Sequence, residues 1–235
     1  MKKLIFIFIG IALLGCKKNE AKEDFSTTPV AEKSELAKKA DNFFKSISTV
    51  EHAAIPQNKI DLGKKLYFDK RLSKNETISC NSCHNLATFG VDNKSLSVGD
   101  TKELGGRNSP TVIYASMHAM QFWDGRAKDV EEQAGGPLLN PVEHGIPNKE
   151  FLEKKLRAIA EYQTAFKNVF PNDKEPITFA NLTNAIGEFE RQLLPESKFD
   201  NYLDGNDAAL NEQEKKGLTA FIDNGCTTCH SGVAV

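Results

Sequence analysis

Two cysteines separated by two residues and followed directly by a histidine occur twice in this chain: Cys80, Cys83 and His84, then Cys226, Cys229 and His230. Two intervening residues put both sulfurs on one turn, where they can form thioether bonds along one edge of a porphyrin. The next residue then aims its imidazole across the ring face at the iron. The pattern predicts two covalently attached c-type haems with His84 and His230 as proximal iron ligands. Zinc is the competing chemistry for CxxC pairs. The two pairs lie far apart, however, and each carries its own histidine. A thioredoxin-like CxxC would need a βαβ pattern around it, and neither pair has one.

Two haems do not by themselves make an enzyme. An electron carrier fills both axial positions of each iron. A peroxide-splitting site leaves one open, with a polar side chain poised above it. The stretch between the two motifs reads RNSPTVIYASMHAMQFWDGRAKDVEEQAGGPLLNPVEHG, residues 107–145. Together with LGKKLYFD (62–69), ISCNSCHN (78–85), FERQLL (189–194) and KFDNYLDG (198–205), it resembles the bacterial di-haem cytochrome c peroxidase family. That family includes the related tryptophan tryptophylquinone-forming enzymes. The resemblance runs from about residue 55 to the last residue.

The resemblance implies a role for each matching position. His84 holds the peroxidatic haem and His230 the electron-transferring haem. Glu143, in NPVE, is the distal acid–base residue, and Trp123, in QFWDGRA, stands between the haems. Asn108, in RNSPT, lies near a calcium ion bound between the domains. Hydrogen peroxide is the substrate, a small cytochrome c or cupredoxin the electron donor, and a homodimer the common assembly. The residue types suit this work. Splitting the O–O bond moves a proton from the inner to the outer oxygen, which a carboxylate can carry, and an apolar pocket raises its pKa into a useful range. Asp124 and Arg126 are expected to fix the tryptophan's loop, by pairing with each other or by holding haem propionates. Two alternatives stay open: a related di-haem oxidase acting on another substrate through high-valent iron, and a non-enzymatic di-haem carrier, which Glu143 in its motif disfavours.

One position departs from the family. Many members end an SVG segment with a histidine that closes the peroxidatic iron until the other haem is reduced. Here the segment reads SVGD, with Asp100 in that place. Carboxylate is a poor substitute for imidazole on haem iron, so this iron is expected to be open even when fully oxidised. His118 and His144 are the histidines that could substitute, since His52 lies too near the tether. His118, in an apolar helix-like stretch, is expected to pack. His144 is expected either to line the distal pocket or to be exposed. In the family a methionine beyond the second motif is the second iron's sixth ligand. Met1, Met117 and Met120 all precede His230. The expectation is therefore a fragment cut at the start of its second domain, folding its first domain at best and not competent as a peroxidase.

These residues must be positioned by helices. The chain has 235 residues and a net charge of −2, so no basic face invites nucleic acid. MKKLIFIFIGIALLGC has the charged and apolar regions of an export signal, too short to span a bilayer comfortably. Gly15-Cys16 resembles a lipoprotein cleavage box. The expectation is a signal peptide at 1–15, a lipid on Cys16 as the one link to a membrane, and a periplasmic location; an ordinary signal with an incidental cysteine is the alternative. Residues 16–50 would be tether and helix, 51–194 the peroxidatic domain, and 195–235 the start of the electron-transfer domain. Helical spacing predicts helices over 34–47, 58–68, 148–170, 178–194 and from 211 to the second motif, with a helical turn at 80–85. Residues 86–108 and 135–147 read as loops, and no stretch alternates as a strand. The fold class is mainly α, two cytochrome c-like haem domains with the second truncated.

Overall fold

The structure, a computed structural model, describes residues 32–51 and 54–233; the signal segment, Cys16, most of the tether and His52 lie outside the described residues. Helices dominate, and none among the described residues is long and apolar enough to cross a membrane. In chain order they are α1 (Glu35–Ala40), α2 (Gln57–Phe68), α3 (Cys80–Cys83), α4 (Val130–Leu139), α5 (Lys149–Arg157), α6 (Ala160–Val169), α7 (Phe179–Glu190), α8 (Lys198–Leu203) and α9 (Glu212–Asp223). Two-residue strands, β1 (Phe44–Lys45) and β2 (Gly232–Val233), pair in parallel, with Phe44 opposite Gly232. Capping decides most starts. Asn148, Thr178 and Asn211 each accept a backbone N–H three residues on, satisfying donors that a helix leaves unpaired.

Three expectations are corrected. The helix over 34–47 stops at Ala40, because Phe44 is drawn out in extended backbone. Its ring is 3% exposed, with Phe199 and Phe221 at centroid distances of 5.3 and 6.2 Å. The same turn makes β1, whose two residues are too few to show alternation. The Gly- and Pro-bearing 135–147 is not all loop, since α4 continues to Leu139 through Pro137. The glycines serve contact there: a Cβ on Gly135 would lie 3.0 Å from the Phe179 ring, and one on Gly136 3.1 Å from Phe122. Residues 148–170 form two helices, broken where Ile159 is extended. The apolar stripe of Leu152, Leu156, Tyr162 and Phe166 runs straight through the break, all four buried, so periodicity hides it.

The main core joins α2, α4, α5, α6 and α7 around Leu66, Leu138, Leu152, Leu182 and Ile186. A second apolar group joins α1 and β1 to α8 and α9 through Ala40, Phe44, Leu203 and Ile222, with Ala37, Tyr202 and Leu210 alongside. The segment expected as tether and helix therefore packs on the element that delivers Cys226. Tyr67, Val112 and Phe189 form a third group, packed against Cys80 and Leu86.

Helices α2 and α7 cross closely. A Cβ on Gly63 would sit 1.9 Å from the Ala185 carbonyl oxygen, so the backbones approach as only glycine permits. Gly63→Ala is expected to lower unfolding free energy by about 1–3 kcal/mol, read from denaturant melts. At the end of α7, Glu190 is 4% exposed. Burial, followed by repulsion from Glu131, pushes its carboxyl up to about 8, while Arg191 pulls it back only in part. Between about 4.5 and about 8 the folded chain holds a proton here that the unfolded chain has lost. Stability attributable to this group therefore falls as pH rises through that window. Glu190→Gln should flatten that decline in melts taken across the same range.

Candidate functional site

The first CxxCH motif folds as one tight turn. Ser79 and Ser82 cap α3 reciprocally, and the His84 N–H donates to the Cys80 carbonyl at 2.9 Å. The Tyr67 hydroxyl donates to the His84 carbonyl at 2.5 Å. The His84 ring is fixed from the side: Nδ1 lies 3.0 Å from the Pro110 carbonyl oxygen. A carbonyl only accepts, so Nδ1 carries the hydrogen and Nε2 keeps its lone pair. Burial holds this imidazole below its usual pKa, against the backbone contacts of Pro110 and Gly90, so it is a neutral donor. Gly90 makes the approach possible. Its φ is +74°, and an added Cβ would meet the Val112 nitrogen at 3.0 Å. That closeness brings Pro110 over the ring.

The second motif repeats the turn. The His230 N–H donates to the Cys226 carbonyl, also at 2.9 Å, after Gly225 turns the chain out of α9 at φ +75°. Here Cys226 and Cys229 are exposed, and the His230 ring meets Phe221 edge-on at 6.1 Å.

Cys80, Cys83 and His84 line a cavity of about 400 Å³, together with Asn108, Trp123, Glu143 and His144. Burial pushes the Cys80 thiol up to about 12 and raises that of Cys83. Among the described residues no three His, Cys, Asp or Glu side chains converge to hold an ion. The tetrahedral thiolate set of structural zinc is thus not assembled. Two thiols on one turn beside an imidazole with its Nδ1 anchored fit a c-type haem instead.

Glu143 lines the same cavity, from the loop after α4. Asn140 Nδ2 donates to its Oε1 at 2.8 Å. Burial raises its pKa, opposed by the charge of Arg126 and the Asn140 hydrogen bond. The loop is tied from behind. The Asp100 N–H donates to the Glu143 carbonyl and the Lys74 N–H to that of His144, both at 2.8 Å. Asp100 itself is 2% exposed, and its carboxylate accepts from Ser73 Oγ at 2.9 Å, the Asn75 N–H at 2.8 Å and Thr77 Oγ1 at 2.6 Å. His144 is buried and lines the cavity, its Nδ1 donating to the Leu72 carbonyl at 3.0 Å. His118 is exposed rather than packed, because the stretch is a short 3-10 turn, Ala115–Met117, with His118 just past its end.

Trp123 is 65% exposed and stands at the rim, its Nε1–H donating to the Asn108 carbonyl at 2.8 Å. Asn108 Nδ2 in turn donates to the Lys94 carbonyl at 2.6 Å. Asp124 bridges Arg107 and Arg126, 2.7 Å from each; their hydrogen bonds bring its carboxyl down to about 2. The expected charge pair is therefore formed, and Arg126 also lies 3.5 Å over the Phe122 ring. Four contributors escaped the sequence reading: Tyr67, Pro110, Asn140 and Glu190. All lie inside quoted segments, LGKKLYFD, RNSPT, NPVE and FERQLL. Attention to the whole segment rather than its reactive residue would have found them.

Comparison with known proteins places the chain in a family. The sequence profile described as "Di-haem cytochrome c peroxidase" matches residues 57–208. The cytochrome c551 peroxidase of Pseudomonas aeruginosa is 47% identical over 212 residues, 88% of this chain and 61% of that one. That of Nitrosomonas europaea is 47% identical over 186 residues, 78% of this chain and 55% of that one. The chain thus spans little more than half the length of these relatives. Among solved structures, a MauG-like protein associated with microbial copper homeostasis is 34% identical with a TM-score of 0.69, covering 75% of this chain and 53% of that one. The anchored imidazole, the paired thiols and a half-buried acid lining the same cavity are thus found in a chain that belongs to the di-haem cytochrome c peroxidase family.

Proposed function

We propose that this chain carries the peroxidatic module, over residues 51–194, of a di-haem peroxidase that reduces hydrogen peroxide to water. Residues from 195 onward, with the apolar face of α1, would hold the electron-transferring haem at Cys226, Cys229 and His230. The observation that carries the reading is the presence of His84 and Glu143 on one cavity, the imidazole oriented by Pro110 and the acid by Asn140. The haem supplies the iron at which peroxide binds and through which electrons arrive. H2O2, two electrons and two protons give two waters, the electrons coming from a small cytochrome c or cupredoxin.

The protein's own groups then have definite tasks. Cys80 and Cys83 would hold the haem covalently, and His84 Nε2 would supply a nitrogen to its iron. Glu143 would accept a proton from one oxygen of the peroxide and return it to the other. Burial favours its protonated form, and Arg126 with Asn140 keeps the charged form accessible, so it can do both. Trp123 is proposed to lie between the haems, and Asn108 to offer its Oδ1 to a calcium ion, a hard cation that takes amide oxygens. Export through residues 1–15, a lipid on Cys16, a periplasmic location and a homodimer complete the reading.

The iron above His84 is further proposed to carry no protein ligand on the Glu143 side in the oxidised protein. Support comes from Asp100, whose carboxylate is spent on Ser73, Asn75 and Thr77. The same accessibility would suit a relative acting on a substrate other than peroxide, as the MauG-like neighbour makes worth testing. Peroxide turnover with a reduced cytochrome separates the two.

Replacing Glu143 by Gln should reduce peroxide kcat/KM by about 10²–10⁴-fold. Because its pKa is raised above 4.5, the acid limb of the wild-type rate profile should lie above that value, activity falling as pH drops through it, and should vanish in the variant. Wild-type rates in Glu143→Gln would sink the reading. Electron paramagnetic resonance of the oxidised protein should show a high-spin iron. A wholly low-spin spectrum that gains a high-spin signal in His144→Ala would instead make that imidazole a ligand.

A further inference from the structure

The position that the family resemblance assigned to an iron-closing side chain is occupied here by a buried hub of hydrogen bonds. Asp100 is 2% exposed. Its Oδ1 accepts from Ser73 Oγ at 2.9 Å, from Thr77 Oγ1 at 2.6 Å and from the Thr77 N–H at 3.3 Å. Its Oδ2 accepts from the Asn75 N–H at 2.8 Å. One carboxylate thus gathers the whole turn from Ser73 to Thr77. Its backbone faces the other way, donating its N–H to the Glu143 carbonyl at 2.8 Å.

The neighbouring residues tighten the same junction. A Cβ on Gly99 would lie 1.7 Å from the Val142 carbonyl oxygen and 3.2 Å from the Glu143 Cα. Lys74, inside the gathered turn, donates its N–H to the His144 carbonyl at 2.8 Å, and His144 Nδ1 donates to the Leu72 carbonyl at 3.0 Å. Three consecutive residues, Val142 to His144, are therefore held from behind by the two segments that Asp100 joins. From the front, Asn140 is the one hydrogen-bond partner of the Glu143 carboxyl among the described residues.

We propose that Asp100 is a positioning residue for Glu143: by binding the Ser73–Thr77 turn to the Gly99–Asp100 backbone, it sets where the Glu143 carboxyl stands in the cavity. This rests on the reading of Glu143 as the proton-handling group. The charge suits the task, since four donors converge on one site and an ionised acceptor binds each more strongly than a neutral one. Burial raises the Asp100 pKa, and the bonds from Thr77, Asn75 and Ser73 outweigh it, leaving the group below its usual value and ionised. Arg126 and Cys83 interact electrostatically with Glu143, Asp100 adjoins it through the backbone with His144 next in sequence, and His84 lines the same cavity. Of these, Asp100 acts through the backbone and not through its charge alone.

The test uses the haem-loaded protein and a probe other than turnover. Hydrogen cyanide must lose its proton to bind ferric haem as cyanide, so its association rate, followed against pH by stopped flow, reports the distal acid's placement and ionisation. Asp100→Ala removes the hub. Gly99→Ala keeps the Asp100 carboxylate and its four donors but puts a Cβ 1.7 Å from the Val142 carbonyl oxygen, so Val142 and Glu143 must shift away from the Gly99–Asp100 backbone. Both are expected to keep haem content, to slow cyanide association at least about tenfold, to move the pH midpoint, and to lower peroxide kcat more than they change KM. Leu152→Ala, in the core between α5 and α7, should lower the melting temperature without moving that midpoint. Where Asp100→Ala fails to hold haem, Asp100→Asn decides. It keeps the shape but turns an amide N–H2 toward the Asn75 N–H, and the same slowing is expected. Wild-type cyanide rates and midpoints in the Asp100 and Gly99 variants, with Glu143→Gln impaired, overturn the positioning role. Glu143→Gln behaving as wild type would instead overturn the assignment of Glu143 itself.

Discussion

The contact on which the site depends is the hydrogen bond from Nδ1 of His84 to the carbonyl of Pro110. It fixes the tautomer, holds the ring against rotation, and leaves one lone pair, on Nε2, for a metal. Neither partner could make it alone. Pro110 is carried to the ring by the close approach of Gly90 to Val112 and by Thr111, whose hydroxyl donates to the Phe89 carbonyl at 2.7 Å. His84 is held by Tyr67, which is fully buried on α2 and packs its ring on Phe189 of α7 at 5.3 Å. The close crossing of α2 and α7 at Gly63 is thus transmitted, through one phenol and one carbonyl, to the orientation of an imidazole.

What could be read from the sequence is what short-range geometry decides. Cysteines two apart and a histidine next to them share one turn wherever they occur, and both motifs close with the same N–H to carbonyl bond at 2.9 Å. Caps at Asn148 and Asn211 were legible because the acceptor and its N–H lie three residues apart. What escaped is set by distant partners. The early end of α1 follows from Phe199 and Phe221, more than 150 residues on, which draw Phe44 inward. Persistence of α4 through Pro137 depends on Phe179 and Phe122 filling the space that its glycines leave. The break at Ile159 cannot be seen in a stripe that continues across it. Asp100 could be recognised as a departure from a family pattern, but its engagement by Ser73, Asn75 and Thr77 depends on a turn that sequence alone does not bring near it.

The two CxxCH turns are alike in backbone and unlike in surroundings. Cys80 and His84 are partly enclosed, with Tyr67, Val112 and Leu86 packed around them. Cys226, Cys229 and His230 are exposed, with Phe221 as the ring nearest the imidazole. What supports the second turn comes from both ends of the described chain. Helix α1 and β1 pack on α8 and α9, Ile47 N–H donates to Asp200 at 2.8 Å, and Phe44 pairs with Gly232. A porphyrin covalently held there would itself supply apolar surface, and for that reason a c-type motif can sit on a modest protein platform.

Around Glu143 the balance of charges is narrow by construction. Removing a carboxyl from water favours its neutral form, and a cation nearby favours the charged one. Arg126 is that cation, but it is not free to approach. Its guanidinium is held by Asp124 at 2.7 Å and lies over the Phe122 ring at 3.5 Å, and Asp124 is itself shared with Arg107. An arginine bound so firmly elsewhere tempers the carboxyl without forming an ion pair with it. A full ion pair would lock Glu143 ionised, able to accept a proton and slow to return it. Full burial without Arg126 would lock it neutral, with the opposite fault. The proposed transfer of a proton in both directions needs the intermediate condition, which a guanidinium shared in this way would supply.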